Sequence, residues 1–124
     1  MAVSTIPKNL AADVNELNSK ITPSSVTFSF GGKTWYFYKI NRIVVVIAPS
    51  DIRSASSGNN TIGTLPAAYR PFASIYLGVQ NAGSDNQRKC FLIVNPNGDV
   101  VFYSPVAITT AQNCGITGCY ITES

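Results

Sequence analysis

Six carboxylates, three thiols and no imidazole are what this chain of 124 residues offers to chemistry. The acids are Asp13, Glu16, Asp51, Asp85, Asp99 and Glu123. Glycoside hydrolysis needs two facing carboxylates. Asp51 with Asp85 or Asp99 is the conceivable pairing, and nothing in the spacing favours it. Asp85 and Asp99 fall where turns are expected, and there an aspartate caps the backbone. Without histidine, most nucleophile–base pairs, most transition-metal sites and the usual proton shuttle are gone. Cys114 and Cys119 have no second pair near them and no histidine to complete a zinc site. With Cys90 they read as small, buried apolar residues. An odd set of three fits no disulfide framework, so maturation in a reducing compartment is expected. No glycine-rich phosphate loop occurs. The chain reads as a non-enzyme with no metal and no cofactor.

The composition narrows the class further. Hydrophobic residues make up 45% and charged residues 12%, about half the usual charged share. So much apolar surface with so little charge points to burial between chains as well as within one. The net charge of +3 comes from scattered basic residues, with only Arg88 and Lys89 adjacent. A nucleic-acid binder concentrates its charge on one face or run, so none is expected. The opening MAVSTIPKN has no apolar signal core, and no stretch approaches a membrane span.

Two parts must position whatever site exists. In residues 1–22, Leu10, Val14, Leu17 and Ile21 are spaced four, three, four. That is a coiled-coil seam with Leu10 and Leu17 at d and Val14 and Ile21 at a. Pro7 suits the first helical turn, and Pro23 ends the helix at Thr22. A helix this short is marginal alone, so its stripe must pack on something. The expected partner is copies of itself, the alternative a fold-back onto its own domain.

Residues 23–124 have β texture. Val26, Phe28 and Phe30 alternate up to Gly31-Gly32, a hairpin signal. Trp35 and Phe37 then share one face, Tyr36 and Tyr38 the other. Asn41-Arg42 turns into IVVVIA, apolar on both faces and so expected to be central. SDIRSASSGNN and NAGSDNQRK read as polar loops, with Ile75, Leu77 and Val79 alternating between them. Two apolar runs joined through Asn95-Pro96-Asn97-Gly98-Asp99 make another hairpin, and a last strand falls near GITGCYIT. Seven or eight short strands with close turns predict an all-β fold, a β-sandwich or jelly-roll-like head behind a short N-terminal coiled-coil helix.

The run TIGTLPAAYRPFASIYLGV resembles a segment in the C-terminal heads of bacteriophage tail-fibre and baseplate receptor-binding proteins. The matching residues are Thr64, Leu65, Pro66, Tyr69, Arg70 and Pro71, then Ile93, Asn95, Gly98, Val100 and Phe102 in the following hairpin. Ala68 departs from the glycine common there, which touches the local turn. The resemblance implies a homotrimer, a jelly-roll or β-sandwich head, folding in the bacterial cytosol, and a place on the virion beside other tail or baseplate proteins. It also implies attachment to a host-surface saccharide. The two prolines fix φ, lower the entropy lost on ordering, and set the register of the strand that follows.

A saccharide site pairs an aromatic platform with polar groups that fix orientation. The candidates are Trp35, Tyr36 and Tyr38, with Arg53, Asn59, Asn60, Asp85, Asn86 and Arg88 from loops. The rival reading is a structural trimerisation or cap module of a fibre with no ligand of its own. A cellular lectin-like or cytokine-like trimer is disfavoured by the cysteine usage.

Overall fold

The computed structural model describes residues 10–48, 52–78, 80–81, 90–109 and 114–123. Pro7, Asp51, Val79, Asp85, Asn86 and Arg88 lie outside them.

Helix α1 spans Leu10–Ile21, with Asp13 in its first turn, where a negative charge suits the helix dipole. The Thr22 amide still donates to the Asn18 carbonyl at 2.8 Å, and Pro23 stops the helix there. Leu10, Val14, Leu17 and Ile21 are 66%, 45%, 60% and 57% exposed. The predicted stripe therefore exists and is not folded back onto its own domain.

The rest is mostly β. The strands are β1 (Ser24–Phe30), β2 (Lys33–Ile40), β3 (Ile43–Ala48), β4 (Gly58–Thr64), β5 (Ile75–Gly78), β6 (Gln80–Asn81), β7 (Phe91–Val94), β8 (Asp99–Ser104) and β9 (Cys114–Ile121). They form two antiparallel sheets, ordered β1-β2-β3-β9-β6 and β4-β8-β7-β5. The β1–β2 turn places Gly31 and Gly32 at φ of 62° and 78°, and the β2–β3 turn places Asn41 at 54°. These are left-handed conformations that glycine and asparagine tolerate.

One strand was hidden in the sequence. GNNTIGT was read as the end of a polar loop and the approach to the prolines, yet it is β4, paired with β8. Its apolar alternation is absent because small residues meet the neighbouring sheet directly. Gly63 is the clearest case: a Cβ there would lie 2.4 Å from the Phe28 ring. The β4 pairing also shifts register between Thr61 and Gly63.

The core lies between the sheets. Trp35, Phe37, Val44 and Val46 face Leu92, Val94, Val100 and Phe102, all fully buried. Trp35 meets Phe102 edge-on at 5.9 Å, and Phe30 meets the same ring at 5.7 Å. Such aromatic pairs contribute about 0.5–1.5 kcal/mol each beyond their buried area.

The alternation predicted for β2 holds: Trp35 and Phe37 point in, Tyr36 and Tyr38 point out. β3 is central as predicted, but it is not buried on both faces. Val44, Val46 and Ala48 are buried while Ile43, Val45 and Ile47 are exposed. The cysteine reading also divides. Cys90 is buried, but Cys119 is exposed, because its register partner Val45 puts it on the outer face. The Cys114 side chain lies outside what the structure describes.

The proline-rich run docks on the Asn-Pro-Asn-Gly turn. The Leu65 amide donates to the Gly98 carbonyl at 2.8 Å, and Arg70 Nε donates to the Leu65 carbonyl at 2.9 Å. Pro66 precedes a single 3-10 turn at Ala67–Tyr69, which buries Tyr69. The Tyr69 hydroxyl meets Ser24 Oγ at 2.6 Å, and Tyr120 donates its hydroxyl to the Tyr69 carbonyl at 2.6 Å. The run thus ties the start of β1 and the end of β9 to the second sheet.

Candidate functional site

Among the described residues, the predicted site residues do not gather at one place. Trp35 has no exposed surface, and its Nε1 donates to the Phe30 carbonyl at 3.1 Å. It is a core residue and offers no platform to a ligand. Tyr36 and Tyr38 stack on each other on the outer face of the first sheet, centroids 5.7 Å apart and planes within 5°. Asn59 belongs to β4, not to a loop, and faces outward opposite Tyr103. Asp85, Asn86 and Arg88 lie outside the described residues.

Arg53 packs on the turn where β1 passes into β2, and Asn60 lines the groove beside that turn. The Arg53 amide donates to the Gly31 carbonyl at 2.8 Å, docking the segment after Ile52 against the hairpin turn. Gly31 is required there as a glycine, because a Cβ would meet Ile52 at 2.8 Å and the Ser54 carbonyl at 3.0 Å. The Arg53 stem runs past Gly32, 3.4 Å from where its Cβ would be. Two residues on, Ala55 and Ile108 exchange backbone hydrogen bonds at 3.1 and 2.8 Å.

These contacts leave an open groove of about 490 Å³ beside the turn. It is lined by residues of the hairpin turn, Ser29, Phe30 and Gly31, by Ser54, Ala55 and Ser56 of the segment docked on it, and by Asn60 and Ile108. Asn60 shapes the groove and is not a spare hydrogen-bonding group. Its Oδ1 accepts from the Ser56 amide at 2.9 Å, and its Nδ2 donates to the carbonyls of Ser56, Gly58 and Phe102 at 2.8, 3.2 and 3.3 Å. Three serines and Phe30 are among the residues that line the groove. Among the described residues no carboxylate lines it.

Ser29, Ser54 and Ser56 were missed from the sequence. Their signal was the Gly31-Gly32 turn, which needed some segment packed against it. A second strip was missed too. On the outer face of the other sheet Phe91 stacks on Tyr103 at 4.7 Å, and Tyr76 tilts against Phe91 at 5.9 Å.

Among the described residues two buried groups have shifted titration. Burial pushes the Cys90 thiol up, its contact with Ser104 opposing. Burial also pushes the Tyr120 hydroxyl well above its ordinary value, with the Tyr69 charge adding to it. Asp99, which sequence placed in a turn, accepts from Asn97 Nδ2 and from Thr64 Oγ1, both at 3.1 Å. Among the described residues no group of three or more His, Cys, Asp or Glu side chains could hold a metal ion. Among them, too, no helix is long and apolar enough to cross a membrane. No protein-family model and no curated protein matches this chain.

Proposed function

We propose that this chain is the receptor-binding head of a bacteriophage tail fibre or baseplate, homotrimeric and non-catalytic, which attaches to a host cell-surface saccharide. The reading includes a jelly-roll-like head, a virion location and contacts with other tail or baseplate proteins.

One observation carries it. α1 joins the sheet at Ser24, while the serine-lined groove lies at the other end of β1, beside Phe30 and Gly31. Seven residues of strand separate those ends by about 20 Å. A stalk at one end and a serine-lined groove at the other is the arrangement an attachment head needs. The two resembling segments support the same reading, since Leu65 and Arg70 pack on the turn that contains Gly98.

A saccharide binds such a groove through Ser29, Ser54 and Ser56, with its apolar ring face against Phe30 and Arg53 alongside. The rival is a cap module that only holds a fibre together, favoured by the exposed stripe of α1. Adsorption of labelled protein to a panel of bacterial strains separates them. Binding to some strains, competed by their released polysaccharide, is the expected result. Uniform absence of binding by a verified assembly leaves the cap.

A further inference from the structure

The first sheet turns an uncharged apolar face to solvent. Across β2, β3 and β9 its outward positions form three rows. One row is Tyr36, Ile47 and Thr117; the middle row is Tyr38, Val45 and Cys119; the last is Ile40, Ile43 and Ile121. No position in this grid carries a charge, and on β1 beside it the outward residues are Ser25 and Thr27. We infer that this face is an interface with another copy of this chain, centred on Val45.

Three observations select that occupant. The first is area. Ile40, Ile43 and Ile121 are 48%, 52% and 56% exposed, and Tyr36, Tyr38, Val45 and Ile47 between 36% and 41%. With large side chains presenting roughly 150–250 Å² each, the grid exposes about 600 Å² of apolar surface. Adding the stripe of α1 brings the total to about 1,000 Å², above the roughly 800 Å² per partner of a standard specific interface.

The second observation is continuity. Ser24, three residues after Ile21, pairs with Lys39, next to Ile40. The chain therefore passes from the helix into the sheet beside Lys39 and Ile40. One symmetry axis serves both surfaces when the partner is the same chain. The third is pattern: an apolar centre with a polar rim, Ser25 and Thr27 on one side and Arg42 and Glu123 beyond Ile43 and Ile121, has the anatomy of an interface between copies. The inference does not depend on host attachment.

Cys119 beside Val45 reports on the face, and buried Cys90 is the internal control. The test uses the full chain with Cys114→Ser, light scattering, and maleimide labelling followed by mass spectrometry. The expected result is an assembly at micromolar concentration whose Cys119 labels slower than glutathione by about tenfold or more. Val45→Lys should speed Cys119 labelling by about the same factor, whether or not α1 still holds the copies together. Tyr38→Glu at the grid edge is the second variant if Val45→Lys fails to fold, and Thr61→Lys on the other sheet should change nothing. A single chain with a freely labelled Cys119 overturns the inference. So does an assembly whose Cys119 labels as fast as glutathione; that result confines association to the helix and leaves host attachment standing.

Discussion

Leu65 and Gly98 are joined amide to carbonyl at 2.8 Å, and Arg70 Nε closes over the pair on the Leu65 carbonyl at 2.9 Å. The stiff proline-flanked run and the Asn-Pro-Asn-Gly turn are therefore one unit, though their sequences are some thirty residues apart. Gly98 has φ of 96°, and a Cβ on it would lie 2.6 Å from both Leu65 O and Arg70 Nε. The backbone oxygen cannot yield. Gly98→Ala should therefore cost about 3 kcal/mol or more, from left-handed strain and overpacking together. Arg70→Ala, which only loses the bond to Leu65, should cost about 1–2 kcal/mol. Urea unfolding midpoints measure both, and equal costs would contradict the steric account.

Gly63 and Phe28 predict a non-additive pair. With 2.4 Å between a Gly63 Cβ and the Phe28 ring, Gly63→Ala must push the ring out of place. Phe28 also meets Phe37 edge-on at 5.7 Å, so the displacement reaches the core. Gly63→Ala alone should cost about 1–3 kcal/mol. In a Phe28→Ala background it should cost much less, a coupling of about 1 kcal/mol or more in a double-mutant cycle.

How much of this was legible in the sequence depended on the range of the contact. Trp35, Tyr36, Phe37 and Tyr38 announce their faces because strand period alone decides them. Gly31-Gly32 and Asn41-Arg42 announce their turns because the backbone conformation demands those residues. β4 was silent because Gly63 answers to Phe28, a residue of the other sheet. The groove was silent because the Ala55–Ile108 bridge holds its serines in place. Cys119 was misread because cysteine is usually buried in a core. Here register with Val45 sends it outward, to the face read above as buried between chains.

Tyr120 makes the fold sensitive to alkali. Its hydroxyl donates to the Tyr69 carbonyl from a buried position, and burial pushes its pKa up from an ordinary 10.0. The unfolded chain then releases this proton near pH 10 while the folded chain keeps it. The stabilisation is whole below pH 10 and falls as pH rises beyond it. The slope approaches about 1.4 kcal/mol per pH unit from this one group. Tyr120→Phe should lose about 1 kcal/mol near neutrality, through the missing bond. It should also show a shallower loss between pH 10 and 11.5. Parallel curves for the two proteins would remove Tyr120 as the source.

The last prediction joins the groove to the stalk. A shallow groove lined by three serines and one aromatic ring should bind weakly per copy, on the order of millimolar, or ~4 kcal/mol. Linking copies through α1 raises avidity by roughly 10²–10⁴ without any new contact. Ser54→Trp should fill the groove and abolish adsorption to cells, yet leave the melting temperature within a degree or two, since Ser54 is exposed. Arg53→Ala should weaken adsorption less, because it keeps the amide that docks the segment on Gly31. Val14→Asp with Leu17→Asp places unpaired charge on the helical seam. Adsorption should then fall by roughly the avidity factor wherever the assembly is lost, while per-site affinity for the free polysaccharide stays the same. Calorimetry on the soluble saccharide and adsorption to whole cells read the two quantities separately. Adsorption that survives Ser54→Trp would move the saccharide off this groove, and the exposed strip of Tyr76, Phe91 and Tyr103 would be the next surface to block.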